Sequence, residues 1–218
     1  MGETTLSDQT QQALKEFMAS LSDEQQATVT GAFQELIASS VASDAISIGD
    51  QARSFELPNV RGGTLLLGSA LQHGPVVLSF YRGSWCPFCN LELNALQTML
   101  PEIKACGARL IAISPELPDN SLSHAEKLGL EFDVLTDLGN KVARDYGLIM
   151  TVHETLRPLY LQWGLDIPAA NGDDSYELPV PATYVLDTNG NVRAAYIEKD
   201  YTKRMEPVAI IDTLKQLV

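Results

Sequence analysis

The chain has 218 residues, of which 45% are hydrophobic and 20% are charged, so a substantial core can form and disorder is not expected. Its 15 basic and 28 acidic residues give a net charge of −13, which disfavours binding to nucleic acid and to anionic membranes. The N-terminus lacks the basic and apolar regions of a signal peptide, and three cysteines are too few for a secreted disulfide framework. A cytoplasmic location is therefore expected.

Residues 1–45 are expected to form a helical arm that is distinct from the rest of the chain. Its first helix carries apolar residues at the i, i+3, i+4, i+7 spacing of one helix face, namely Leu14, Phe17, Met18 and Leu21. Ser22 and Gln25 form a capping box that opens a second helix. Neither helix can bury its apolar stripe alone, so the arm must pack on the main domain or on a second subunit of a homodimer.

Residues 46–218 are expected to form one domain in which strands and helices alternate. Buried strands are predicted at 75–82, 108–114 and 132–137, and a hairpin with a type I′ turn is predicted at 182–198. Helices are predicted at 87–106, at 138–146, at 205–217 and from a capping box at Ser123–Glu126 to Gly129. Pro101 should kink or break the first of these helices. Residues 149–179 are expected to be a loop-rich insertion.

This order of elements, β-α-β-α-β-α-β-β-α, defines the expected fold class. It predicts an α/β protein with a central mixed sheet sandwiched by helices, with right-handed crossovers between the parallel strands. The residue 1–45 arm would be an N-terminal helical extension of that core.

Two of the three cysteines lie at the junction between the strand that ends near Arg82 and the following helix. Pro87 is favoured at the first helical position, which places Cys86 at the N-cap, facing solvent. The free N–H groups and the helix dipole at that end should lower the pKa of Cys86 below the usual value of about 8.5. Cys89 follows almost one turn later, within disulfide reach. Arg82 either adds positive charge there or is a solvated surface residue.

The two cysteines have three alternative interpretations besides a redox pair. A metal site needs more ligands than the scattered residues His73, His124 and His153 supply, so no metal is expected. Two buried inert thiols at a helix start are less expected in a cysteine-poor chain than a redox-active C-x-x-C motif. A redox-inactive binding domain on the same scaffold remains a hypothesis, because a fold does not determine a function.

Four segments resemble a known family: GDQARSFELPNVRG (49–62), VVLSFYRGSWCPFCNLELNAL (76–96), LIAIS (110–114) and VPATYVLDTNGNVR (180–193). They are similar to the peroxiredoxin-like branch of the alkyl hydroperoxide reductase / thiol-specific antioxidant family, which belongs to the thioredoxin-like superfamily. The resemblance implies a thioredoxin-like fold and thiol-dependent reduction of hydroperoxides. It also implies no cofactor and a thioredoxin-like reductant, with a hydroperoxide or a disulfide as substrate.

The resemblance leaves two assignments of the reacting thiol open. In the peroxiredoxin pattern Cys89 takes the peroxidatic position, Cys86 replaces a threonine and Arg82 replaces a proline. Pro181 stands where peroxiredoxins have an arginine and where thioredoxins have a cis-proline, so the resemblance to thioredoxins implies a cis peptide bond between Val180 and Pro181. The thioredoxin pattern makes Cys86 the first nucleophile and Cys89 the resolving thiol, and helix-end placement together with Pro181 favours it.

Other residues are assigned supporting positions. Trp85 is expected to cover the thiol pair, Tyr81 to line the pocket, and Ser84 to line it or, more simply, to serve the turn. Cys106 lies at the far end of the helix, roughly 25 Å from Cys89 at about 1.5 Å per residue, which is too far for a direct disulfide. It is expected to be a small core residue.

Overall fold

The structure, a computed structural model, describes residues 4–217. The strands are β1 (Glu56–Pro58), β2 (Thr64–Leu66), β3 (Val76–Phe80), β4 (Arg109–Ser114), β5 (Asp133–Thr136), β6 (Ile149–Thr151), β7 (Glu177–Pro179), β8 (Ala182–Leu186) and β9 (Val192–Ile197). The helices are α1 (Leu6–Ala19), α2 (Asp23–Ala38), α3 (Leu67–Leu71), α4 (Pro87–Ala105), α5 (Pro118–Lys127), α6 (Lys141–Asp145), α7 (Arg157–Gln162), α8 (Ile167–Asn171) and α9 (Pro207–Lys215).

A five-stranded sheet in the order β5-β4-β3-β8-β9 forms the centre of the molecule. β3, β4 and β5 are parallel, whereas β8 runs antiparallel to both β3 and β9, so the predicted mixed α/β sheet is confirmed. Every residue of β3 is buried, because helices cover both faces of this central strand. The turn that connects the carboxyl end of β3 to α4 therefore starts in the middle of the core.

The sequence predictions fail at three local points. α5 begins at Pro118 rather than near Ser123, because a proline at the first helical position starts the helix five residues earlier. α4 continues through Pro101 and is not broken there. In the hairpin only Gly190 has a positive φ (81°), which fits a turn followed by a left-handed residue rather than a type I′ turn.

The segment 149–179 is more ordered than a loop-rich insertion. β6 and β7 pair antiparallel at its two ends, and a 3-10 turn at Glu154–Leu156 leads into α7 and α8. Its apolar residues form a third buried cluster together with residues of α1 and α2. The insertion therefore has its own small core, in which the N-terminal arm takes part.

The N-terminal arm packs on the main domain, which is the first of the two predicted arrangements. The backbone N–H groups of Leu6 and Ser7 donate to the Glu206 carboxylate at 3.2 and 2.7 Å, which anchors the start of α1 beside α9. Phe17 meets Trp163 of the insertion edge to face, with ring centroids 5.2 Å apart. The division of the chain at residue 45 stays a prediction. Among residues 4–217, no helix has both the length and the apolarity to span a membrane.

Candidate active site

The turn between β3 and α4 places two thiols at the start of a long helix. Cys86 is the N-cap of α4, with φ −88° and ψ 114°, and Pro87 follows it as the first helical residue, as predicted. Both Cys86 and Cys89 are free thiols and fully buried. The expectation that Cys86 faces solvent is therefore wrong, because this helix end is packed into the core beneath Trp85 and Arg82.

The turn itself depends on one glycine. The Cys86 N–H donates to the Gly83 carbonyl at 3.2 Å, and Gly83 has a φ of 149° that L-residues rarely adopt. A Cβ at this position would lie 2.3 Å from Nε1 of Trp85, so only glycine lets the indole fold over the turn. The N–H and Oγ of Ser84 both donate to the buried Glu116 carboxylate, at 2.9 and 2.6 Å. Ser84 thus holds the turn in place.

Arg82 is 3% exposed, so its interpretation as a solvated surface residue is wrong. Nη1 donates to the Cys86 sulfur at 3.7 Å, and Nη2 donates to the Tyr160 hydroxyl at 2.7 Å. The guanidinium carbon lies 4.8 Å from the ring centroid of Trp85 and 4.2 Å from that of Tyr201. Within the described chain no carboxylate forms an ion pair with Arg82. A buried cation without a carboxylate stabilises an anion beside it, and the nearest anionic candidate is the Cys86 sulfur.

A second buried arginine, Arg204, lies beside Cys89 and was missed by sequence reasoning. Its Nη2 donates to the Cys89 sulfur at 3.2 Å, and its Nε donates to the Glu92 carboxylate at 2.5 Å. Glu92 lies on the same buried face of α4 as Cys89 and Leu93. A carboxylate on an otherwise apolar helix face needs a buried cation, and that was the available signal. This signal does not show which of the 15 basic residues pairs with the buried carboxylate.

The two thiols have opposite pKa shifts. Burial alone would raise the pKa of Cys86, but the hydrogen bond from Cys89 and the positive charges of Arg82 and Arg204 lower it to about 5. Burial raises the pKa of Cys89, and the hydrogen bond to Cys86 and its negative charge raise it further. The reduced pair therefore holds one thiolate, on Cys86, and one protonated thiol, on Cys89.

Pro181 lies at the same sheet edge as the thiol turn. Ala182 pairs with Phe80 in the antiparallel β3–β8 register, so Pro181 is level with Tyr81, which is buried at the end of β3. The predicted cis bond before Pro181 is wrong, since no peptide bond among the described residues is cis. The backbone runs on from the Val180 N–H, which donates to the Leu148 carbonyl at 2.6 Å, into β8 in extended form.

An apolar cavity of about 220 Å³ opens beside the thiol turn. The N-terminal arm lines one side with residues such as Phe17 and Phe33, and the insertion lines another with Tyr160 and Trp163. Arg82, Trp85 and Pro87 line the side nearest to the thiols. Of the two arginines that contact the cysteines, Arg82 lines the cavity and Arg204 does not. The cavity therefore approaches the pair from the Cys86 side.

A C-x-x-C pair at the start of a helix that follows the central strand of a mixed α/β sheet defines a thiol oxidoreductase of the thioredoxin-like fold. The sequence model of the AhpC/TSA family matches residues 48–195, and the chain belongs to that family.

Curated relatives and solved structures agree with this assignment. The chain is 30% identical over 173 residues to a chloroplastic peroxiredoxin Q from Populus jackii, covering 79% of this chain and 68% of the relative. It is 32% identical over 176 residues to the Arabidopsis thaliana peroxiredoxin Q, also chloroplastic, covering 79% and 67%. The crystal structure of peroxidoxin BcpB from Mycobacterium tuberculosis superposes with a TM-score of 0.62 at 22% identity, covering 79% of this chain and 99% of that one.

These findings confirm three expectations from the sequence. The fold is thioredoxin-like, the chain is peroxiredoxin-like, and it is an enzyme that reduces hydroperoxides with thiols. The comparisons do not assign roles to individual residues, so the roles of Cys86, Cys89 and the two arginines rest on geometry.

Proposed function

We propose that Cys86 is the thiol that attacks the hydroperoxide and that Cys89 resolves the oxidised sulfur. The observation that carries this assignment is the placement of Cys86 at the N-cap of α4, in contact with Arg82, the arginine that lines the cavity. Helix N–H groups and a buried guanidinium together stabilise a thiolate, which is the nucleophilic form of cysteine.

The proposed reaction has three balanced steps. The Cys86 thiolate attacks one oxygen of ROOH, the O–O bond breaks, and RO⁻ takes a proton and leaves as ROH, so that Cys86 becomes a sulfenic acid. Cys89 then attacks the Cys86 sulfur, the S–O bond breaks, and water leaves as the disulfide forms. A dithiol donor of the thioredoxin type reduces the disulfide through a mixed disulfide and is itself oxidised.

The cavity supports an organic hydroperoxide with an apolar body as substrate. Its walls are mostly aromatic and aliphatic side chains, and the single charged group among them is Arg82 at the thiol end. An apolar body would bury against these walls while the polar peroxide group meets the guanidinium and the sulfur. The proposal has three further parts that are predictions from the sequence. They are a reductant of the thioredoxin type, a homodimer and a cytoplasmic location.

A single-turnover experiment tests the function. The reduced protein is mixed with one equivalent of hydrogen peroxide or of cumene hydroperoxide, and peroxide loss and disulfide formation are followed by mass spectrometry. The expected result is one Cys86–Cys89 disulfide per peroxide consumed, and reduction by a thioredoxin-type donor. If the pair exchanges with protein disulfides but consumes no peroxide, the protein is instead a thiol–disulfide oxidoreductase.

Phe33→Ala tests the part that the cavity plays in substrate choice. Phe33 comes from the arm and packs edge to face on Tyr201, with centroids 5.4 Å apart. Its truncation removes apolar contact surface, so the apparent KM for cumene hydroperoxide should rise about 5- to 30-fold, as one to two kcal/mol of lost burial implies. The rate with hydrogen peroxide should stay unchanged. Leu66→Ala, an exposed residue of β2, is the control. An equal change for both peroxides would contradict a role in specificity.

Arg82→Met should shift the pH dependence of the peroxide step. Because Arg82 lowers the pKa of Cys86, its loss should raise the midpoint from about 5 by about one to three units. The rate should then fall roughly tenfold at pH 6 for a two-unit shift and approach the wild-type rate at pH 9, where both proteins hold the thiolate. Stopped-flow measurements from pH 4 to pH 9 check this, with Arg109→Met as the exposed control. The same loss at every pH would mean that Arg82 does not act through the pKa.

A further inference from the structure

We propose that Arg204, held in place by Glu92, is a positioning residue that activates Cys89 only after Cys86 has been oxidised. The inference rests on the proposed order of the two thiols. It assigns the two buried arginines to separate steps, with Arg82 serving the attack on peroxide and Arg204 serving the closure of the disulfide.

All three nitrogens of the Arg204 guanidinium group donate hydrogen bonds, and Cys89 is the cysteine that receives one of them. Its side chain is 2% exposed, and its Nε is paired with the Glu92 carboxylate. Nη1 donates to the carbonyl oxygens of Tyr201 and Lys203 at 2.6 and 2.7 Å. Nη2 is thereby aimed at the Cys89 sulfur, 3.2 Å away. Every nitrogen is engaged, and the sulfur is the one partner whose charge changes during the reaction.

Glu92 is fixed just as firmly. Its second oxygen accepts hydrogen bonds from Thr183 Oγ1 at 3.2 Å and from Ser79 Oγ at 3.5 Å, so strands β8 and β3 both hold it. Glu92 thus aims Arg204 and offsets part of its charge, while the hydrogen bond to the sulfur remains. This arrangement is built on the main domain and does not reach the cavity.

In the reduced protein the positive charge of Arg204 does not suffice to ionise Cys89. The titratable and charged groups that act on Cys89 are Cys86, Arg82, Arg204 and Tyr81, and Glu92 lies on the same helix face, paired with Arg204. Burial and the adjacent Cys86 thiolate raise the pKa of Cys89 although Arg204 lowers it. Two thiolates within hydrogen-bonding distance would repel each other, so one of the pair stays protonated.

Oxidation of Cys86 reverses this balance. A sulfenic acid is neutral, so the repulsion disappears while the charge of Arg204 stays, and the Cys89 proton becomes easier to lose. Cys89 loses its proton and forms the S–S bond with Cys86 as the S–O bond breaks. The leaving hydroxide takes the proton, so water is the product and no external base is required. Cys89 therefore becomes a nucleophile only once Cys86 carries the sulfenic acid that it attacks.

The test uses a double variant that removes the charge pair without leaving a buried carboxylate unpaired. Arg204→Met/Glu92→Gln is mixed with peroxide at pH 8, where Cys86 stays ionised even if its pKa rises, and sulfenic acid and disulfide are trapped by rapid quench with a dimedone-type reagent. Sulfenic acid formation should stay within about twofold of wild type. Disulfide formation should slow about tenfold or more, because the Cys89 thiol loses the positive charge that favours its ionisation, and the pH midpoint of this step should move upward.

Arg204→Lys keeps a cation at this position and should restore part of the disulfide rate. Equal slowing of both steps without a shift in the pH midpoint would overturn the proposal and leave Arg204 with a structural role. Slowing of the peroxide step alone would overturn it too, because Arg204 would then serve the first nucleophile. If the wild type itself forms its sulfenic acid on Cys89, the proposed function fails, and the order assigned to Arg204 fails with it.

Discussion

Cys86→Ser is expected to abolish peroxide reduction, whereas Cys89→Ser should keep the first chemical step. Loss of a covalent nucleophile commonly lowers a rate by roughly a hundredfold or more. Cys89 remains in the first variant, but Arg204 beside it does not line the cavity, whereas Arg82 beside Cys86 does. In the second variant Cys86 keeps its helix N-cap position and its contact with Arg82. The rate of peroxide loss in single turnover is the measurement.

The oxidation products should also differ between the Cys86→Ser and Cys89→Ser variants. Cys89→Ser should accumulate a Cys86 sulfenic acid or, with a donor present, a trapped mixed disulfide on Cys86. Cys106→Ser is the matched control, since Cys106 is a half-buried free thiol at the C-terminal end of α4 and should leave both steps unchanged. Fast sulfenic acid formation on Cys89 in the Cys86→Ser variant, with an unreactive Cys86 in the other, would establish the peroxiredoxin pattern instead.

Arg204→Met alone should be the most destabilising of the charge substitutions, because it leaves the Glu92 carboxylate buried and unpaired. Both side chains of this pair are 2% exposed, and removal of one partner of such a pair typically costs about 3–5 kcal/mol. Arg204→Met/Glu92→Gln should recover a large part of that loss, since the amide can keep hydrogen bonds to Thr183 and Ser79. Urea unfolding at pH 7 of both single variants and the double variant gives the coupling free energy.

The destabilisation should also depend on pH. In Arg204→Met the Glu92 carboxyl is without its cation, and burial raises its pKa, so the folded protein binds a proton that the unfolded chain releases. The free-energy difference from wild type should therefore shrink as the pH falls from 8 towards 5. Arg109→Met is the control, because the Arg109–Asp133 pair is largely exposed on its arginine side and should be worth about 1 kcal/mol or less. Similar losses in both variants would contradict a buried, desolvated pair.

The sequence predicted those features of the site that depend on residues close together in the chain. Pro87 as first helical residue placed Cys86 at the N-cap, and the apolar run before Arg82 gave the central strand. Both predictions depend on neighbouring residues and short-range sterics, which a single sequence displays. The same holds for the capping box of Ser22 and Gln25, which the structure contains.

The remainder of the site depends on contacts between distant segments. Arg204 lies 115 residues beyond Cys89, and nothing in the polar segment around it marks it as a core residue. The burial of Cys86 and Arg82 likewise depends on how the arm and the insertion cover the helix end. Amphipathic patterns predicted that the arm must pack somewhere, but they do not specify which face of the main domain receives it.

The ionisation of the two thiols tests the central claim most directly. A pH titration of reduced protein labelled with ¹³C at the cysteine Cβ follows each thiol separately, and the Cys86→Ser and Cys89→Ser spectra assign the signals. We predict that the Cys86 signal titrates with a midpoint near 5 and that Cys89 stays protonated beyond the usual range of a cysteine. A spectrum in which Cys89 titrates at the lower pH while Cys86 remains a thiol would contradict the account.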